Sequence, residues 1–201
     1  MLVSDLKAGT YGGIKLNNFK ADLKWSETMV DKPWWENVYR QAWPEFGNMV
    51  AVREDVWAQR AGIDRIVTLT TGKVIKIDEK VRRKDYGDIL LEHMSSKEHG
   101  TPGWVNKPLD ADYIAYAIEP TEKCYLLPVH ELQRAWRKYE DTWRWDYGDV
   151  EALNPGYTTV STPVPSQVLQ KALTYVMVFS WNTKPQTAQR PTSHNAVGLR
   201  G

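Results

Sequence analysis

The stretch Gly62-Ile63-Asp64-Arg65-Ile66-Val67-Thr68-Leu69-Thr70-Thr71-Gly72-Lys73-Val74-Ile75-Lys76-Ile77-Asp78-Glu79-Lys80 decides how this chain folds. Its two halves are rich in Val, Ile and Thr and meet at a Thr-Gly turn signal, the pattern of paired antiparallel strands. A two-residue turn at Thr71-Gly72 would set Asp64 opposite Glu79, but it demands positive φ at Thr71, which a β-branched residue resists. A three-residue loop, Thr70-Thr71-Gly72 with Gly72 left-handed, avoids that strain. It pairs Asp64 with Asp78, Ile66 with Lys76 and Thr68 with Val74. The same register gathers Val67, Leu69, Ile75, Ile77 and Val81 on the opposite face, and a one-residue slip would scramble both faces.

Directly opposed side chains in such a pair lie about 4.5–5.5 Å apart at Cβ, so Asp64 and Asp78 are close enough to share an ion. Lys80 follows Asp78 by two residues and points the same way. Facing carboxylates repel, and a cation between them removes that penalty. A small set of hard oxygen ligands favours Mg²⁺, which keeps several waters and takes one or two carboxylates. The bland alternative is an exposed hairpin whose charges are simply solvated.

From Asp64 through the hairpin to Asp78-Glu79-Lys80, the chain resembles the core of the PD-(D/E)XK nucleases, closest in pattern to the branch like archaeal Holliday-junction resolvases. The resemblance spans residues 45–130 or so and implies a restriction-endonuclease-like α/β fold. Its core is a helix, a three-strand meander, a helix and a further strand, forming a central mixed sheet flanked by helices. On this sequence Asn48–Ala61 would be the first helix, Asp88–Ser95 the third strand, Trp104–Asp110 a short helix and Tyr113–Glu119 the fourth strand. Ile63 stands where the family name has proline, and Asp78 where Glu is more frequent.

The resemblance implies that Asp64 and Asp78 bind a metal, Mg²⁺ with Mn²⁺ as a substitute, and that the main-chain carbonyl of Glu79 adds a ligand. Lys80 would orient the attacking water or stabilise charge building on the phosphate. Family members often take a further acid from the first helix. Glu54 is the foremost candidate, with Asp55 and Glu45 behind it. Gln59, one helical turn after Asp55, is a candidate substrate contact.

Charged side chains make up 25% of the 201 residues and hydrophobic ones 42%, ordinary for a soluble globular protein. The net charge of +1 gives no global basic field to advertise nucleic acid. Locally, Lys73, Lys76, Lys80, Arg82, Arg83 and Lys84 crowd the second strand and the loop after it, where they suit phosphate contacts or guard a sheet edge. Ser95–Gly103 is polar and reads as a flexible loop near the site. Trp104, beside it, is the tryptophan best placed to stack on a base, whereas Trp35, Trp57 and Trp136 fall on apolar helix faces and are assigned to packing.

Cys124 is alone, which excludes an intramolecular disulfide and a cysteine-based zinc site. His93, His99, His130 and His194 lack the tight pair spacing of a zinc motif, although His93, next to Glu92, lies where it would approach the site. No basic-then-apolar leader and no membrane-length apolar run is present, so a cytoplasmic protein is expected.

The reading is one α/β domain over residues 1–181, with an arm at about 1–24, a core at 45–130 and a C-terminal elaboration at 131–181. The tail at 182–201, rich in Thr, Pro, Gln and Asn, is expected to be disordered. Around the core, a helix is predicted from Lys32 or Pro33 to Trp43 with Asp31 as cap, then a hairpin from Tyr113–Glu119 and Cys124–Pro128. Val129–Trp143 follows as a helix, 144–165 as irregular or extended chain, and Pro165 starts a helix through Ala172. The expected function is a Mg²⁺-dependent deoxyribonuclease acting on duplex, branched or single-stranded DNA, with a homodimer compatible with cutting two strands. The alternatives are a non-catalytic nucleic-acid-binding protein on the same scaffold and a Trp-rich interaction module.

Overall fold

The computed structural model describes residues 15, 16, 25, 28, 29 and 32–182. Most of the arm and nearly all of the tail therefore lie outside the described residues. In chain order the elements are β1 (Lys15–Leu16), α1 (Trp34–Ala42), β2 (Phe46–Ala51), α2 (Val56–Ala61), β3 (Arg65–Leu69), β4 (Val74–Arg82), β5 (Asp88–Ser96) and β6 (Thr101–Pro102). After them come β7 (Tyr113–Ile118), a 3-10 turn (Glu119–Thr121), β8 (Lys123–Pro128), α3 (Val129–Tyr147), β9 (Val150–Asn154), β10 (Tyr157–Pro165), α4 (Ser166–Ala172) and β11 (Met177–Ser180).

The β3–β4 hairpin pairs Ile66 with Lys76 and Thr68 with Val74, the register expected for a three-residue loop. Leu69 N–H donates to the Lys73 carbonyl at 2.8 Å and Gly72 N–H to the Leu69 carbonyl at 2.9 Å, closing the loop around Thr70-Thr71-Gly72. Gly72 has φ 84, a conformation that any Cβ would strain. Alternation then sends Val67, Leu69, Ile75 and Ile77 into the core on one face and leaves the acids and Lys80 for the other.

The segment predicted as one helix, 48–61, divides. Its first part belongs to β2, an edge strand pairing Met49 with Val67 and Val50 with Ile66, and only Val56–Ala61 is helical. Pairing to the open edge of β3 overrides local propensity here. Gly47 stands at a register shift between Phe46 and Asn48, where a Cβ would lie 2.8 Å from the Thr68 carbonyl oxygen. Asp55 caps α2 by accepting from the Trp57 and Ala58 N–H groups, and Gly62, at φ 68, ends it. With so short a helix, Trp57 does not reach the core: it is 82% exposed, contrary to its assignment to packing, while Trp35 and Trp136 are buried as expected.

Two sheets result. The first is mixed, in the order β11-β8-β7-β4-β3-β2, with β7 parallel to β4 and the other neighbours antiparallel. The second runs β1-β9-β10-β5-β6. The meander is thus β2-β3-β4, because β5 leaves the first sheet and pairs antiparallel with β10, a strand within the stretch read as irregular or extended. The 104–110 segment forms no helix. A single turn is closed by Lys107 N–H on the Gly103 carbonyl at 2.9 Å, and Pro108 prevents its continuation. Ser95–Gly103, read as a loop, contains β6 folding back on β5.

One apolar cluster fills the space between the first sheet and α1, with Trp35, Val38, Tyr39, Val67, Ile77 and Leu126 at its centre. The other lies across the sheet, where β5, α3 and α4 cover β7 and β8 through Leu91, Ile114, Leu127, Leu132, Trp136 and Leu169. Among the described residues no helix is long and apolar enough to cross a membrane.

Candidate active site

Asp78 and Lys80 stand on the face of β4 that looks toward the second sheet, in line with Ile114 and Tyr116 on β7. Asp64 enters from the residue before β3. Its Oδ2 accepts the Glu79 N–H at 2.8 Å, which locks the carboxylate onto the rung beside Asp78. The two carboxyls lie within hydrogen-bonding reach of each other, and Lys80 Nζ donates to Asp78 Oδ1 at 2.9 Å. The structure therefore brings Asp64, Asp78 and Lys80 to one spot.

Electrostatics there are tense. Asp78 is only 7% exposed. Burial raises its pKa, Lys80 pulls it back and Asp64 pushes it up again, leaving it above the ordinary value. Burial alone would push the Lys80 ammonium toward losing its proton, but Asp78, Asp64 and Glu92 together hold its pKa above the ordinary 10.5.

A fourth charged group, which the sequence reading passed over, joins them. Glu92 projects from β5 on the side opposite the buried Leu91 and His93, and its carboxylate interacts through charge with Lys80 and Lys107. Burial raises its pKa while Lys80 and Lys107 restrain the rise.

The wall behind Glu92 is the segment 103–110. Val105 N–H donates to the Glu92 carbonyl at 3.2 Å, and Gln133 from α3 donates to the Lys107 carbonyl at 2.8 Å. A Cβ at Gly103 would lie 2.3 Å from the Glu92 carbonyl oxygen. Gly103→Ala is therefore expected to destabilise by about 1–3 kcal/mol, the range for overpacking, seen as a lower urea midpoint at unchanged slope.

Other expected site residues are placed differently. Trp104 is 5% exposed, its ring 5.7 Å from Lys80 Nζ; packed under the lysine, it offers no face for a base to stack on. Glu54 is exposed in the turn before α2, outside the helix that was expected to present it. Gln59 is spent on the Arg53 carbonyl, at 2.5 Å. Arg82 is committed to Asp88, through both its carboxylate and, at 3.0 Å, its carbonyl, so it ties β4 to β5 instead of reaching for phosphate. Arg83 lies 4.4 Å from the Trp25 ring, Lys84 is exposed, and Lys76 is half-exposed with its N–H on Asp112 Oδ2 at 2.8 Å. His93 points away from the site, to Asp149 Oδ1 at 3.2 Å and against the Trp136 ring.

Glu79 turns its side chain through the sheet, where 1% is exposed. There it accepts from Arg65 at 2.5 Å, Tyr39 at 2.7 Å and Arg53 at 3.1 Å. Burial raises its pKa against the pull of Arg65, and burial beside Glu79 raises the Tyr39 phenol well above its usual value. The exposure that Glu79 retains is that of its main chain, on the side of Asp64 and Asp78.

Among the described residues, no three His, Cys, Asp or Glu side chains are arranged to hold an ion together. Two neighbouring carboxylates, one of them already oriented by a main-chain N–H, instead fit an ion that keeps most of its waters. No family model matches this chain, and no curated protein or solved structure matches it either.

Proposed function

We propose that the chain is a metal-dependent deoxyribonuclease that hydrolyses phosphodiester bonds. The observation that carries the reading is the convergence of Asp64, Asp78 and Lys80 on one face of β4, with the ammonium 2.9 Å from an Asp78 oxygen. Two like charges pressed together at a half-buried spot are unfavourable in a purely structural role. The order of elements adds support: α1, the meander β2-β3-β4 and the parallel strand β7 follow the helix, meander and strand that the PD-(D/E)XK resemblance implies, with β5 and β6 in place of the second helix.

In this reading Asp64 and Asp78 hold Mg²⁺, and the exposed main chain of Glu79 is the further donor. An ion held there supplies positive charge to the phosphate and lowers the pKa of a water. Lys80 presents its ammonium to the phosphate oxygen on which charge accumulates. Trp104 excludes water from beneath Lys80, and Lys76 and Lys84 remain to meet the nucleic-acid backbone.

Labelled duplex, single-stranded and four-way-junction DNA incubated with Mg²⁺, Mn²⁺ or EDTA tests this. Metal-dependent cutting is expected, falling about 10²–10³-fold in Lys80→Ala, the scale of one lost electrostatic stabiliser, with the circular dichroism spectrum unchanged. Binding without cutting would make the chain a nucleic-acid-binding protein instead. Trp57 and Trp145, 82% and 88% exposed, favour a second reading as an interaction module, and absence of both binding and cutting would select it.

A further inference from the structure

Trp57 has no part in the chemistry above, yet the fold fixes it beside the acid pair. Val52 N–H donates to the Asp64 carbonyl at 2.9 Å, Asp55 N–H to the Val52 carbonyl at 2.9 Å, and Trp57 N–H to Asp55 Oδ1 at 2.7 Å. Three successive hydrogen bonds therefore link the main chain of Trp57 to that of Asp64. At the other end of α2, Asp110 N–H donates to the Ala61 carbonyl at 2.9 Å, which ties the helix to the segment bearing Trp104.

The neighbouring strand adds apolar surface on the same side. Met49 packs into the cluster between the first sheet and α1, so Val50 points to the opposite face, the one that carries Asp78 and Lys80. Val50 shares its rung with Ile66 and Lys76, each two residues along its strand from Asp64 or Asp78. Val50, Val56 and Trp57 are all more than half exposed. Exposed apolar side chains gathered in this way mark a contact surface.

The chemistry of α2 says what that surface meets. Arg60, one turn after Trp57 and exposed, is the sole charged residue of the helix. The Asp55 carboxylate is turned onto the N–H groups of Trp57 and Ala58. An open indole beside a cation suits nucleic acid, the ring taking a base and the cation a phosphate. In continuous duplex each base is covered on both faces by its neighbours, so an indole finds a free face only on an unpaired base.

We infer that Trp57 is a stacking platform for an unpaired base next to the scissile phosphate, with Arg60 on a neighbouring phosphate, so that the substrate is single-stranded or unpaired DNA and not continuous duplex. This rests on the nuclease reading, which puts the phosphate at Asp64 and Asp78.

Binding without cleavage tests it, by fluorescence anisotropy of a labelled single strand, and of that strand annealed to its complement, with the full chain in EDTA at low salt. Trp57→Ala is expected to weaken single-strand binding about tenfold, the loss of one stacked base, with duplex binding within about twofold of wild type and most of the loss recovered in Trp57→Phe. The melting temperature should not move, since the ring is exposed. An abasic nucleotide walked along the strand should find one position where wild type loses as much and Trp57→Ala loses nothing more. Arg60→Gln should lower the slope of log affinity against log salt by about 0.7.

Single-strand binding unmoved by Trp57→Ala, an equal loss on duplex, or an abasic effect that adds fully to the variant overturns the inference, as does a wild-type protein that binds no DNA. Trp57-dependent binding without cutting once Mg²⁺ is added removes the nuclease reading and leaves the platform. Cutting by a protein whose binding ignores Trp57 does the reverse.

Discussion

Asp78→Asn is expected to abolish metal-dependent cleavage, by about 10³-fold or more, while leaving the metal-free protein at least as stable as wild type. The first half follows, on the proposed reading, from removing one of the two carboxylates that would hold the ion. The second follows from burial and from Asp64, which make the folded protein bind the Asp78 proton more tightly than the unfolded chain does. For a carboxyl raised in this way, the fold carries no penalty below the ordinary value of 3.8 and loses stability as pH rises from there through the raised value.

Asparagine cannot ionise, so the variant escapes that loss. Thermal melting in EDTA at pH 4 and pH 8 is the check, with wild type losing more than Asp78→Asn between the two. Glu79 and Glu92 are raised too and slope the same way in both proteins, so the difference between the curves isolates Asp78. A variant that melts far below wild type in EDTA at neutral pH would show that Asp78 is structural.

Glu79→Ala should have the largest effect on stability, a loss of about 3–5 kcal/mol, because it strips the counter-charge from a buried guanidinium. Arg65 and Glu79 are 5% and 1% exposed at the side chain, and Tyr39 also donates to Glu79, at 2.7 Å. At about 2–4 °C per kcal/mol for a domain of this size, melting should fall by roughly 10 °C. Glu79→Gln, which keeps an acceptor without the charge, should lose less. A fall under about 1 kcal/mol in urea titration would mean that Arg53 and Arg65 find solvent easily and that the network is not structural.

The hairpin was legible because everything that fixes it is local. Alternation of Val and Ile with polar residues sets the faces, and Gly72 chooses the loop, so the register and the approach of Asp64, Asp78 and Lys80 followed from neighbouring residues. Phe46–Ala51 was not, since what makes it a strand is the vacant edge of β3 and not its own pattern. Nor can alternation say which sheet a strand joins: Asp88–Ser96 reads as a strand either way, and its partner β10 lies far along the chain.

The same limit explains the side chains misjudged. A run of basic residues suggested phosphate contacts, but Arg82 is claimed by Asp88 once β4 turns into β5. Trp104 looked loop-borne and accessible, yet α3 pins its segment to β5 and buries the ring. Glu54 was expected on a helix over 48–61, of which only Val56–Ala61 forms, because the residues before it pair with β3.

The ladder between β5 and β10 has a consequence for biosynthesis. Ser161, which stands opposite Glu92, leaves the ribosome long after the hairpin bearing the two aspartates. Until it does, β5 has only β6 beside it, and the second sheet that lies against β4 is incomplete. On the nuclease reading, a truncated or half-made product would carry the proposed metal ligands without a completed second sheet beside them, so the timing of translation itself would keep an unfinished DNA-cutting protein quiet.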